Sequence, residues 1–136
     1  MTIKESDLQK AVARYLDGLM ATGCLFWNHC PNGAVLKGSP LQRAKQMAWL
    51  KAEGLKVGFP DVAVYPKLPH PPFFIELKTS KGRLQDTQKD VKARIEALGY
   101  RWYTVKAEHG YDAVKQVREI VEDTEGVEIN RTGALL

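Results

Sequence analysis

Cysteine and histidine are scarce in this chain, with two of the former and three of the latter. Neither set has the spacing of a metal site. Cys24 and Cys30 have five residues between them, and no second cysteine pair or His-x-x-x-His completes a zinc centre. His29, His70 and His109 are scattered. The thiols therefore read as buried or idle, and a disulfide framework is not indicated. Also missing is any apolar stretch as long as a membrane span. The opening MTIKESDLQK has no apolar run of the signal-peptide kind. The expectation is a cytoplasmic protein with no membrane partner. There is no internal repeat and no sign of a second domain.

What remains is an ordinary globular composition, 44% hydrophobic and 26% charged over 136 residues, enough for one real core. The charge is unevenly spread. Residues 1–106 hold 17 Lys and Arg against 9 Asp and Glu, whereas residues 107–136 hold 3 against 7. A basic body of this kind suits a phosphate-backbone binder, although basic helix faces also serve simply as solvated surface.

Apolar periodicity predicts the elements. Leu8, Val12, Tyr15, Leu16 and Leu19 put a helix over residues 5–20, with Ser6 or Thr2 as its cap. After Gly23, the segment CLFWN reads as a strand. His29 to Pro40 is rich in Gly, Pro and Asn and reads as a loop. Leu41, Ala44 and Ala48 mark a second helix over 41–53, with Gly54 at its end. Two strand-like runs follow, Asp61–Tyr65 and Phe73–Lys78. The proline-rich connector PKLPHPP makes them most simply an antiparallel hairpin. A helix over 86–98, with Gln88, Val91, Ile95 and Leu98 on one stripe, leads to a strand over Arg101–Val105. A last helix covers about 111–122. The order β-β-α-β-α allows a crossover into one sheet. The fold class is α/β, a small mixed sheet flanked by helices. One domain spans 1–123, and 124–136 reads as a C-terminal tail expected to be disordered.

The chemistry lies between Gly58 and Gln88. Glu76 and Lys78 are two apart in a strand, so both face the same side while Leu77 faces the other. Charges at the end of so apolar a strand are costly to bury without partners. Hairpin pairing brings Asp61 to them as the natural third member. Two carboxylates supply the hard oxygen ligands that magnesium or manganese prefers. A metal so held activates a water and offsets phosphate charge, and a lysine beside it orients the nucleophile. A strand-end salt bridge between Lys78 and one carboxylate is the competing reading.

Further residues carry a likeness to a known family. They are Glu5 and Gln9 on the first helix, Asn32-Gly33, Gly54, Gly58-x-Pro60-Asp61, Phe74-Ile75-Glu76-Leu77-Lys78-Thr79, Gly82-Arg83-Leu84 and Gln88. In this order they resemble the VRR-NUC domain, a branch of the PD-(D/E)xK nuclease superfamily, from about residue 5 to 106. The resemblance implies a restriction-endonuclease-like fold. It makes Asp61 and Glu76 the metal-binding acids, with Mg2+ or Mn2+ as cofactor, the Leu77 carbonyl a further ligand, and Lys78 the catalytic lysine. Glu5 corresponds to a first-helix glutamate that binds metal through water or holds a second ion. Gln9 and Gln88 correspond to glutamines facing the site. One departure is Gln85 where the family often has Ser, so that Asp86 could cap the following helix instead.

The resemblance also implies DNA as partner. Asn32, Lys37, Arg43, Lys45, Lys81 and Arg83 are the candidate contacts. Phosphate contacts position a substrate without reading its sequence, which favours a structure-selective enzyme. Stand-alone proteins of this type resemble phage Holliday-junction resolvases, for which branched DNA and a homodimer are expected. The setting would then be the host cytoplasm. Met47 and Trp49 are candidates for the dimer interface or for the core. Flap, nicking or restriction-type nucleases, and a non-catalytic DNA-binding module, are the competing functions.

Overall fold

The computed structural model describes residues 3–31 and 36–124. In chain order the elements are α1 (Glu5–Met20), β1 (Phe26–His29), α2 (Pro40–Ala52), β2 (Val62–Tyr65), β3 (Phe73–Thr79), α3 (Asp86–Ala97), β4 (Arg101–Ala107) and α4 (Gly110–Glu122). The sheet order is β1-β2-β3-β4. β1 and β2 are antiparallel, as are β2 and β3, while β4 runs parallel to β3. The sheet is therefore mixed, with α3 as the crossover connection.

Alternation along the strands divides the sheet into two chemically different faces. Phe73, Ile75 and Leu77 of β3 join Val62, Val64, Val105 and Ala107 on one of them. That face is covered by Leu8, Val12, Leu16 and Leu19 of α1 and by Ala113, Val117 and Val121 of α4, which together form the core. The other face presents Phe74, Glu76 and Lys78. α3 covers its β4 side, where Phe74 makes edge contacts with Phe59 and Tyr100. A strand apolar on one face and ionic on the other thus separates the core from the charged groups.

Several boundaries differ from the periodic reading. The cap of α1 is not Ser6, and Thr2 lies outside the described residues. Lys4 holds the cap position, and its backbone N–H donates to Asp7 Oδ2 at 3.0 Å. Leu98 is exposed at the end of α3, because the helix stops at Ala97 and Gly99 turns the chain away. α2 is capped by Ser39, whose Oγ accepts from the Gln42 N–H while Gln42 Oε1 accepts from the Ser39 N–H. It buries none of its residues. Leu41, Ala44 and Ala48 face solvent, and Trp49 is 69% exposed. The tail assigned to 124–136 lies, apart from Thr124, outside the described residues.

Candidate active site

The hairpin register decides how the carboxylates meet. Val62 pairs with Ile75, so Asp61 stands opposite Glu76 at the end of β2. Two reciprocal bonds join them. The Asp61 N–H donates to Glu76 Oε1 at 3.1 Å, and the Leu77 N–H donates to Asp61 Oδ2 at 2.9 Å. Each strand's backbone thereby orients the other strand's carboxylate. In a β-strand the N–H and C=O of one residue point to the same side. The Leu77 carbonyl accordingly faces the side of the two acids, beyond the end of β2.

Glu76 is 1% exposed. Burial, and after it the neighbouring Asp61 carboxylate, pushes its pKa up to about 8, against the opposing pull of Lys78. A second cation at this point would relieve what a proton relieves in its absence.

Lys78 is 6% exposed. Its Nζ lies 3.8 Å from Glu76 Oε2 and 3.9 Å from Glu5 Oε1. These are electrostatic contacts at distances too long for hydrogen bonds. Both are ion pairs without hydrogen-bond geometry. The ammonium is held in place by two carboxylates without being committed to either. Glu5, the first residue of α1, reaches Lys78 from the core side. One turn on, Gln9 has both amide atoms buried with no hydrogen-bond partner among the described residues. An orphaned amide on the helix face that carries Glu5 is the kind of group a bound water or ligand satisfies.

Gln88 is the third buried polar residue. Its Oε1 accepts from the Gln85 N–H at 2.8 Å, which turns its amide NH2 towards Glu76, donating to Oε2 at 2.6 Å. The side chain that closes the first turn of α3 therefore also orients the glutamate. Gln85 occupies the cap position and α3 begins at Asp86, so Asp86 is not the cap. Gly58 holds this arrangement together from the other side. Its φ is +94°, and a Cβ there would stand 2.4 Å from the Thr87 carbonyl oxygen. Only a glycine lets the turn leading to Asp61 press so closely on the first turn of α3.

Asp61, Glu76, Lys78, Glu5 and Gln88 are thus brought together, with Gln9 on the adjoining helix face. Lys37 is tied to α2 through its backbone, bonded both ways to the Gln46 side chain. Arg43 and Lys45 on α2, and Lys81 and Arg83 after β3, are exposed. Asn32 lies outside the described residues. Two contacts had no sequence signal. His29 Nδ1 donates to the Asp61 carbonyl at 2.8 Å, and the Cys30 N–H donates to the same oxygen at 3.0 Å. The end of β1 thereby clamps the backbone of the metal-ligand candidate across some thirty residues of chain, a separation that no local pattern reveals.

The donors suit a hard divalent cation. They are the carboxylates of Asp61 and Glu76, already in contact, and a carbonyl on their side, with the Glu76 pKa raised by burial and by its neighbour. Among the described residues, no three His, Cys, Asp or Glu side chains form a ready-made metal cage. Waters and backbone would complete any coordination sphere, as is usual for magnesium.

A mixed sheet whose hairpin end gathers two acids and a lysine defines an α/β protein of the nuclease class. The family relation is specific: the VRR-NUC domain matches residues 4–109, and the chain belongs to that nuclease family. Among solved structures, a chain described as a VRR_NUC domain protein superposes with a TM-score of 0.65. The match covers 100% of both chains at 17% identity, a level at which the likeness is one of fold. A search of curated proteins finds no match. No helix among the described residues is long and apolar enough to cross a membrane.

Proposed function

We propose that the protein is a magnesium- or manganese-dependent endonuclease that hydrolyses DNA phosphodiesters, selects branched DNA in the manner of a Holliday-junction resolvase, and works as a homodimer. The observation that carries the catalytic part is the buried Lys78 ammonium beside the Asp61–Glu76 pair, close to both Glu76 and Glu5 and hydrogen-bonded to neither. Asp61, Glu76 and the Leu77 carbonyl would hold the ion, with Glu5 acting through water. When bound, the ion supplies an activated water and offsets charge on the phosphate. Lys78 orients that water and stabilises the developing negative charge. Gln88 keeps Glu76 in its binding orientation, and Gln9 offers its unpartnered amide to water in the site. Lys81 and Arg83, exposed just after β3, take the flanking phosphates, and Lys37, Arg43 and Lys45 extend the contact.

The dimer rests on α2. The α1 apolar residues are spent in the core, whereas Leu41, Ala44, Ala48 and Trp49 are exposed on a helix that buries none of its residues. Met47 is half-buried and belongs less to that face. A four-way junction requires paired cuts, and a two-fold pair of sites meets that need.

The test is cleavage of four-way junction, flap, linear duplex and single-stranded DNA in magnesium, manganese or EDTA. Wild type should cut junctions in either metal. Lys78→Ala should lose about 10²–10³-fold, the range for removing one preorganised charge stabiliser, and Asp61→Ala should be inactive. Cutting that persists in EDTA, or in Asp61→Ala, would sink the metal mechanism. Equal rates on duplex and junction would replace the resolvase with a flap, nicking or restriction-type enzyme. Metal-independent binding without turnover would leave a DNA-binding module.

A further inference from the structure

The acidic face of the sheet is only half covered. α3 shields its β4 side, and the aromatic cluster of Phe59, Phe74 and Tyr100 fills the space beneath. On the β1–β2 side the same face exposes two rings. There Phe26 and Tyr65 are direct cross-strand partners, with ring centroids 6.2 Å apart and planes inclined by 44°. They are 58% and 43% exposed. Strand alternation puts Asp61, Ala63 and Tyr65 on one side of the chain leading into and along β2, and the register adds Asn28 and Phe26 from β1. The aromatic pair and the carboxylates thus lie at two ends of one face of β2, with Ala63, 1% exposed, and the part-buried Asn28 between them.

From this geometry we infer that Phe26 and Tyr65 form a stacking platform for unpaired bases of the DNA strand whose phosphate lies at Asp61 and Glu76. The inference rests on the nuclease reading and adds to it the part of the substrate that is recognised. Asp61 and Tyr65 are four residues apart, about 13 Å at the ~3.3 Å rise of a strand. That is about four stacked nucleotides at ~3.4 Å each, and fewer if the strand is extended. Between these ends β1 and β2 place only Asn28 and Ala63 on that face, so no charged side chain of theirs repels a phosphate backbone there. Residues 1–106, which contain it, have eight more basic than acidic side chains. Every base has a π face, so two open rings select unpaired strands without reading sequence.

A second copy of the chain is the other occupant to weigh, and area argues against it. Two aromatic side chains of roughly 150–250 Å² each, about half exposed, offer about 200 Å². A stable interface takes about 800 Å² from each partner. The exposed face of α2 is the better surface for that purpose.

Binding and cutting of two matched DNAs test the platform: a continuous duplex, and the same duplex with a short single-stranded gap carrying 2-aminopurine. Wild type should bind the gapped DNA more tightly and quench the probe. Replacing both rings (Phe26→Ala with Tyr65→Ala) should weaken gapped binding by about tenfold or more, abolish the quenching, and change duplex binding less than twofold. The pair Phe26→Leu with Tyr65→Leu keeps the apolar area without the π faces and should fail in the same way. It also stands in should the alanine pair fold poorly. Phe26→Tyr should behave as wild type.

Unchanged gapped binding in the leucine pair, or equal losses on both DNAs, would overturn the platform while wild type continued to cut. A drop to half the solution mass in the variants would assign the rings to a second copy and overturn it also. A wild type that binds and cuts no DNA at all would bring down the nuclease reading itself, a result distinct from the others.

Discussion

Glu76 concentrates the physics of the site in one side chain. Its carboxyl is buried, faces Asp61, and is pushed up to about 8 from the ordinary 4.5. Between these two values the folded chain binds a proton that the unfolded chain releases. Linkage then fixes the sign: in the absence of metal, the stability contributed by this group is complete below about pH 4.5 and is lost as pH rises towards and through 8. Melting temperatures in EDTA should fall across that window, and magnesium should restore them at the alkaline end. Glu76→Gln should flatten the dependence, because an amide cannot titrate. A wild-type melting curve in EDTA that is flat from pH 5 to 8.5 would contradict the assignment. Gln88 makes a second prediction at this scale. Gln88→Ala removes the bond to Glu76 and the cap on the Gln85 N–H. It should lower stability by about 1–2 kcal/mol, and cleavage should fall as Glu76 loses its orientation. Gln85→Ala leaves the backbone N–H, and therefore that cap, in place, so it serves as the control.

At the scale of elements, the site depends on three segments meeting at fixed distances: the approach to β2, the body of β3 and the first turn of α3. Gly58 is their contact point. Gly58→Ala meets the Thr87 carbonyl at 2.4 Å and also a φ of +94°. It should destabilise by about 1–3 kcal/mol or more and depress cleavage by moving α3 away from Glu76. Gly23 is the informative contrast, since its φ is +82° but nothing lies within 4 Å of an added Cβ. Gly23→Ala should lose only about 1–2 kcal/mol of backbone strain, with cleavage unchanged once folded. Denaturant midpoints and rates measured on the two variants separate strain from displacement. The elements themselves were largely legible. Helical spacing located α1, α3 and α4, and the prolines between Tyr65 and Phe73 implied the hairpin. The errors fell at ends, at Lys4, Gln85 and Leu98, where capping is settled by side chains three residues away and by where a glycine turns the chain.

The whole molecule poses the question of α2. A 13-residue helix that buries none of its side chains gains little from tertiary packing, the usual source of helix stability in proteins. In a homodimer, its exposed Leu41, Ala48 and Trp49 would become core. Replacing Leu41 and Trp49 together by Glu should halve the mass seen by light scattering and abolish paired cutting of a four-way junction. The melting temperature of the monomer should hardly change. Wild type that is monomeric at working concentration would refute the dimer.

The sequence by itself determined the α/β class, the element order and the meeting of Asp61, Glu76 and Lys78, because strand alternation and a short hairpin leave those side chains few other places to go. Tertiary structure alone decided which groups orient them. The His29 and Cys30 clamp on Asp61, the Gly58 contact with α3, and the open Phe26–Tyr65 pair all join segments far apart in the chain. Contacts of that kind depend on register and packing, and local patterns of polarity carry no record of them.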